Sequence, residues 1–389
     1  MLVSLVGAPN KGKSTLFSAL TMNEVAIADY PFTTVDPNLG LAYATKKCVE
    51  AELKVKCKPR NSLCHNGTRM IPVNIVDVAG LVEGAHQGKG MGNQFLSDIS
   101  ASDAVIVVSD ISGKTDSNGN PSTGADPVAD VKAVIEELVQ WTASIVKKHI
   151  AQISRREDGI VALCEILTNM KATRAQVEDA AGKAFLVTST IKWSDEDILR
   201  FSREFLKLNK PIIVAANKSD APGSEKGLAS LRSEFGDANV VPTSGAIELA
   251  LRKAAKQGLI DYEPGNRSFN FIGDVTDAQK SALDYMLKFV KERGTNVQEL
   301  LNSAVFGTLG NIVVYPVEDE GKYCDHSGNV LPDAILMKSG STAIELAEKI
   351  HTDIAKNMLY AVDARNKKRL AKNYPLQDGD VIRIVSAAR

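Results

Sequence analysis

The chain opens on a run dominated by apolar, β-branched residues, Met1-Leu-Val-Ser-Leu-Val6, and similar runs return at Val73–Asp77, Ala104–Ser109 and Pro211–Ala216. Short apolar runs of this kind, bounded by turn residues, predict buried strands. Between them the spacing changes. Leu16, Phe17 and Leu20 mark an amphipathic helix directly after the first strand. From Asp130 to about Phe205, positions such as Val131, Val134, Ile135, Leu138, Ile145 and Val146 keep a helical period without strand-like alternation. Gly113 to Pro127, rich in Gly, Asp, Ser and Asn, reads as a loop before them. Leu249 to Gly310 is helical in texture again, with Asp277–Arg293 strongly amphipathic. The last segment differs: Ile312–Val317, Thr342–Ile350 and Asp378–Val385 read as strand, helix and closing strand on a D-G-D turn, a compact mixed β-grasp. The expectation is an α/β chain: a domain over 1–112 that resumes at 206–310 with a helical linker, a helical insertion at 113–205, and a β-grasp domain at 311–389.

The junctions carry the chemistry. Gly7-Ala-Pro-Asn-Lys-Gly12-Lys13-Ser14-Thr15 fits G-x-x-x-x-G-K-[ST] with no gap, so the fold class is that of a P-loop NTPase. Its glycines let backbone N–H groups turn inward around a phosphate, and the helix opening at Lys13 adds its positive end. Lys13 should reach the β- and γ-phosphates and the Ser14 hydroxyl should ligate Mg²⁺, with Asn10, Lys11, Gly12 and Thr15 completing the nucleotide-binding loop. Asp29-Tyr-Pro-Phe-Thr-Thr34-Val-Asp-Pro-Asn38 has no helical period and reads as an ordered loop. Thr34, ahead of Thr33, is the candidate to sense the γ-phosphate and Mg²⁺; a rigid connector is the plainer reading. In Asp77-Val-Ala-Gly80, Asp77 would hold Mg²⁺ through water and the Gly80 amide could approach the γ-phosphate. Leu81 follows where small GTPases use a water-orienting Gln, so another arrangement must position the water. His86, in the glycine-rich run Gly84–Gly92, is a candidate catalytic group against the plainer reading of a solvent-facing histidine. Asn217-Lys218-Ser219-Asp220 closes a strand, and an aspartate there accepts from the guanine N1–H and exocyclic amine. At about 3 kcal/mol for the two bonds, guanine should be preferred over adenine about a hundredfold. Ser244-Gly245-Ala246 takes the place of a base-supporting S-A-x loop, with Gly245 for the usual Ala.

Asp29-Tyr-Pro-Phe-Thr-Thr with Pro37-Asn38, Asp77-Val-Ala-Gly-Leu-Val-Glu-Gly-Ala85, and Gly88-x-Gly-x-Gly-Asn-Gln-Phe-Leu96 together resemble the Obg family of translation-factor-like GTPases. Within that family they are most similar to the YchF branch, its archaeal members above all, and the likeness covers nearly the whole chain. The resemblance implies a GTPase that is hydrophobic-substituted at the catalytic Gln, as Leu81 is. It also implies a helical, coiled-coil-like arm at the insertion and a TGS domain at 311–389, a domain shared with threonyl-tRNA synthetases that points to RNA. P-loops of the form G-x-P-N-x-G-K-S can use the asparagine as a K⁺ ligand, and Asn10 inherits that role. Bacterial and eukaryotic members of the branch typically carry Glu at the position of Asp220 and prefer ATP. The residues here point instead to GTP and GDP.

Composition narrows the partners. A net charge of −1 over 389 residues gives no global field, so any RNA contact must come from a local patch and DNA sequence recognition is not indicated. Arg365, Lys367, Lys368, Arg369 and Lys372 are a candidate for such a patch or a solvated loop; Lys147-Lys148-His149 and Arg155-Arg156 read as a solvated helix face. Five scattered cysteines make no disulfide framework. Cys57-x6-Cys64-His65 lacks a C-x2-C knuckle and an obvious fourth ligand, so a charged excursion between strands is the better account than a zinc site. With no signal peptide and no membrane-length apolar run, a cytoplasmic protein is expected. The functional expectation is a slow, Mg²⁺-dependent GTPase acting as a ribosome- or RNA-associated switch. The alternatives are a nucleotide-gated ribosome- or RNA-binding scaffold with negligible unaided hydrolysis, and an ATPase. The oligomeric state is left open.

Overall fold

The computed structural model describes residues 1–21, 38–78, 99–188 and 191–387. They fall into two compact units, residues 1–21, 38–40 and 74–300 in one and residues 41–73 and 301–387 in the other. Thr34, Gly80, Leu81 and His86 lie outside the described residues.

The strands run β1 (Leu2–Val6), β2 (Leu39–Lys47), β3 (Leu63–His65), β4 (Thr68–Asp77), β5 (Ala104–Asp110), β6 (Ile212–Asn217) and β7 (Val240–Thr243). In the first unit β4, β1, β5, β6 and β7 pair in that order, all parallel. β5 is buried at every position, as a central strand covered on both faces must be. The register is what builds the site. Leu5 pairs with Asp77, Val6 with Val107, Asp110 with Asn217 and Asn217 with Thr243, so the carboxyl ends of all five strands finish at one edge. Ligands of open α/β sheets bind at that edge.

The helices expected in the insertion are present: Pro127–Ile153, Gly159–Ile166, Arg174–Lys183 and Asp195–Asn209. Their starts are legible locally. Asp126 caps the first, with Pro127 at its opening position, while Thr173 with Gln176 and Ser194 with Asp197 form capping boxes. They pack on one another and, through the first of them, on β5. Val131, Leu138, Val146, Leu163, Phe201 and Phe205 share one buried cluster with Val6, Val107 and Val214 of the sheet, so these helices are a layer of the first unit. Trp193 and Phe201, with ring centroids 5.0 Å apart, continue that core. The amphipathic helix expected near 277–293 is Asp277–Glu292, opened by a Thr276–Gln279 capping box. Helical texture misled at one place: β8 (Ile260–Asp261) and β9 (Asn270–Phe271) form a short hairpin. Gly258 and Gly265, at φ of 71° and 92°, end the helical path there.

In the second unit β10 (Asn311–Val317), β11 (Ile335–Lys338), β12 (Met358–Asp363), β13 (Lys368–Leu370) and β14 (Val381–Ser386) form a mixed sheet in the order β11-β10-β14-β12-β13. The helix Ala343–Ile350 covers it through Leu346 and Ala347, against Val314, Met358 and Ile382. That is the expected β-grasp. Its D-G-D turn is held by side chains: Val313 N–H donates to Asp378 at 2.9 Å and Gln377 N–H to Asp380 at 2.9 Å. Among the described residues no helix is long and apolar enough to cross a membrane.

Candidate nucleotide-binding site

The P-loop leaves β1 and enters the helix Lys13–Thr21. Gly12 stands at φ 92°, and a Cβ there would come within 2.4 Å of the Asn217 side chain, so backbone conformation and space both demand glycine. Asn217 fastens this loop to the next strand end. Its amide donates to the Lys11 carbonyl at 2.9 Å and its oxygen accepts from Gly245 N–H at 3.2 Å and the Thr243 hydroxyl at 3.3 Å. Lys218, in the left-handed region at φ 64°, donates to the Asn10 carbonyl at 2.9 Å and to Asp110 at 2.8 Å. The first two N-K-x-D residues thus hold the phosphate loop in place. Asp220 accepts from the Ser244 hydroxyl at 2.6 Å. Ser244 also caps the helix Gly245–Lys256, so its one hydroxyl serves both the cap and Asp220. A Cβ on Gly245 would meet Leu16 at 3.4 Å, ordinary contact, so nothing steric excludes the usual alanine.

At the phosphate end, the Ser14 hydroxyl donates to Asp77 Oδ2 at 2.7 Å. Asp77 Oδ1 is buried and has no partner among the described residues. A hydroxyl and a carboxylate converging with one orphaned oxygen fit a hard, oxygen-preferring cation such as Mg²⁺. The Lys13 side chain is buried and, among the described residues, makes a single long hydrogen-bond contact, 3.4 Å to the Ala8 carbonyl. Burial pushes its ammonium below the ordinary lysine range, and the Asp77 charge only partly offsets this. An anionic phosphate would reverse that shift.

Lys11 behaves differently from the role expected of its side chain. It is fully buried, with Nζ 2.6 Å from Asp130 and 2.7 Å from the Thr115 carbonyl. Its side chain supports the loop from behind, leaving its backbone to the cradle. Sequence reasoning missed this support. The stretch 113–126, read only as a loop, lies against the P-loop: Asn10 Nδ2 donates to the Gly119 carbonyl at 2.9 Å, and a Cβ on Gly119 would come within 2.8 Å of Pro9. Asp110, at the end of β5, accepts from Lys218, from Ser112 at 2.5 Å and from Thr115 at 2.7 Å. Burial works to raise its carboxyl, yet those bonds together hold it below the usual range. A strand-terminal aspartate followed by Ser112 and Thr115 was the available signal.

The basic groups of the insertion are largely engaged, Lys147 with Asp195 and Arg156 with Glu165. In the β-grasp unit Arg365 is tied to Glu52 at 2.7 Å and to the Gly379 carbonyl, while Lys367, Lys368, Arg369 and Lys372 are exposed.

Three family models match: a GTPase model described as a 50S ribosome-binding GTPase over residues 2–154, the G4-motif domain of Obg-like YGR210-like GTPases over 215–319, and the TGS domain over 327–386. A GTP-binding protein of Methanocaldococcus jannaschii is 47% identical over 393 residues, spanning 100% of both chains. The chain belongs to the YchF/Obg-like family of GTP-binding proteins. A GTP-binding protein of Pyrococcus horikoshii, solved by crystallography, is 37% identical over the full length of both chains with a TM-score of 0.81. The Bacillus subtilis ribosome-binding ATPase YchF is 26% identical and covers 98% of each chain. Family membership makes this YchF/Obg-like chain a GTP-binding nucleotide hydrolase, in a class that generally uses Mg²⁺.

Proposed function

We propose that this chain is a slow GTPase that binds GTP or GDP with Mg²⁺ and couples its nucleotide state to a ribosome or other RNA. The observation that supports the base preference is the hydrogen bond from Ser244 to Asp220, which fixes the carboxylate beside the Ser244-Gly245-Ala246 loop. In this reading Lys13 contacts the β- and γ-phosphates, Ser14 and Asp77 hold the Mg²⁺, and Asp220 accepts from the guanine. Thr34 and Gly80 are assigned to the γ-phosphate. Leu81 cannot orient water, so His86 or a K⁺ at Asn10 supplies what a glutamine does elsewhere. The Asn10 amide favours the cation: its nitrogen donates to Gly119, which turns its oxygen away from that loop. Catalysis is then positioning and charge stabilisation, a role that an arginine finger fills elsewhere with a gain of about 10³–10⁵. The RNA arm of the proposal rests on the exposed Lys367, Lys368, Arg369 and Lys372, on the ribosome-binding description of the matching model, and on the Bacillus relative's name.

Relatives named as ATPases favour a second reading, an ATPase. Competition against a fluorescent guanine nucleotide separates the two. GTP and GDP should displace it far better than ATP and ADP; equal displacement by ATP would establish the ATPase reading. Co-sedimentation with ribosomes under GTP, GDP and no nucleotide tests the switch, and indifference to nucleotide would remove it. Turnover should be faster in K⁺ than in Na⁺, with the difference gone in Asn10→Ala. Rates unmoved by cation, by Asn10→Ala and by His86→Ala would place catalysis in a partner and favour the scaffold.

A further inference from the structure

The residues between β2 and β4 contain a cluster that the nucleotide site does not use. The Sγ atoms of Cys48, Cys57 and Cys64 and a carboxylate oxygen of Glu50 all lie within 4.8 Å of one another. Four separate backbone devices bring them together. Cys48 follows β2, with its N–H donating to the Gly67 carbonyl at 2.8 Å. Glu50 opens the short helix Glu50–Leu53. Cys57 lies beyond it, where its N–H donates to Glu50 Oε2 at 2.8 Å. Cys64 sits in β3, whose Asn66-Gly67 turn, at φ of 46° and 75°, folds it back onto β4. The Cys64 thiol faces Glu50 Oε1 at 3.7 Å.

We propose that Cys48, Glu50, Cys57 and Cys64 are the four ligands of a structural site for zinc, a thiolate-preferring divalent cation. Tetrahedral zinc with sulfur at about 2.3 Å sets ligand atoms about 3.8 Å apart, a contraction that side-chain rotation supplies. His65, the residue adjacent in sequence, is exposed with its ring beside Asn66, 3.3 Å away, and is not a ligand. The ligands that Cys57-x6-Cys64 lacks in its own stretch come from Cys48, just after β2, and Glu50, at the start of the short helix.

A second observation points the same way. Arg69 is fully buried, donates to the Leu331 carbonyl at 2.7 Å, and leaves Nε and Nη1 without a partner among the described residues. It stands opposite Cys64 in the β3–β4 pairing, so the two side chains share a face. Glu50 already lies within electrostatic reach of this guanidinium, which also sits over the Tyr315 ring at 5.5 Å, yet two of its buried nitrogens go unbonded among the described residues and a buried cation favours more negative charge nearby. Zinc with three thiolates and one carboxylate is a net dianion, and it would add to the counter-charge that Glu50 alone supplies. The site would also explain how residues 55–62, which carry no helix or strand, keep a fixed path. Lys58 N–H and Arg60 N–H donate to the Val330 and Pro332 carbonyls at 2.8 and 2.7 Å, contacts that need the loop held in place. Metal binding and local folding are then one event.

The test uses the full chain, purified without chelator. Elemental analysis should find about one zinc per chain, and Co²⁺ exchanged into the site should give the visible bands of a tetrahedral ion with thiolate-to-metal charge transfer. Cys57→Ser and Glu50→Gln should each reduce metal content to near zero while binding of a fluorescent guanine nucleotide, which reads the other unit, stays unchanged. Glu50→Cys, a four-thiolate set, should keep the metal. Stripping the metal should open residues 55–62 to protease. A chain that takes up neither zinc nor cobalt, or one whose cysteines are found paired in a disulfide while nucleotide binding is intact, overturns the proposal. So does metal content that survives both Cys57→Ser and Glu50→Gln.

Discussion

The base end and the phosphate end of the nucleotide site are built on opposite terms. At the base end, Asn217, Lys218 and Asp220 each have protein partners already, the loop carbonyls, Asp110 and Ser244. At the phosphate end, among the described residues, Lys13 is buried with one long contact and Asp77 keeps an orphaned oxygen. A preformed end fixes which ligand fits, because its groups need no rearrangement to read a base. An end with unpaired charge makes the ligand's phosphates and cation complete the structure, so affinity should concentrate there.

The largest effect should come from breaking the support beneath the phosphate end. Lys11→Met or Asp130→Leu alone leaves a buried charge unpaired and should lower unfolding free energy by about 3–5 kcal/mol, whereas the double variant should recover most of it. Equal losses in single and double variants, in denaturant titrations, would show that Lys11 is not a buried structural pair. Next is Lys13→Met. It should slow turnover by at least about 10²–10³-fold, as loss of one charge-stabilising donor does, while leaving the nucleotide-free chain no less stable. The sign follows from the shift: the folded pKa of Lys13 is lowered, so its ammonium disfavours the folded state and stability gains as pH rises through the interval between the lowered value and 10.5. A lower melting temperature for the variant would mean that Lys13 has a stabilising partner beyond those among the described residues.

At the base end the effects should be smaller and selective. Asp220→Ala should remove about 3 kcal/mol of guanine preference, near a hundredfold, measured as the ratio of GDP to ADP affinity. Ser244→Ala, which frees the carboxylate and also removes the cap of the helix Gly245–Lys256, should lose about 1 kcal/mol of the same ratio, the cap's loss appearing in stability instead. A Ser244→Ala loss equal to that of Asp220→Ala would place Ser244 on the nucleotide itself. Smallest of all, Gly245→Ala should leave nucleotide affinity unchanged and raise stability by less than about 1 kcal/mol. A collapse of affinity would mean that the base-supporting loop needs glycine for closer approach than the 3.4 Å contact with Leu16 indicates.

Much of this protein is local in origin, and that part the sequence determined by itself. Gly12, Lys13 and Ser14 follow a strand and open a helix because glycine, lysine and hydroxyl are needed in that order around a phosphate. The same holds for Asp77 at the end of β4, for N-K-x-D at the end of β6, and for the capped helices from Asp126 onward, whose signals lie within one turn of the element they start. Tertiary structure decided what depends on chain segments far apart. Asp130 pairs with Lys11, Gly119 with Asn10, and Asp110 with Lys218 across intervals of about a hundred residues. No spacing rule announces those contacts, because they are set by which strand ends finish at the same sheet edge. The same holds for the helical insertion: periodicity shows that Val131 and Phe205 have an apolar side to bury, but only the tertiary structure shows that the first helix meets β5 and the last packs on the first. Cys48 met Cys57, Cys64 and Glu50 because the Asn66-Gly67 turn reversed the chain, a turn visible in the sequence whose consequence required the strand pairing to be known.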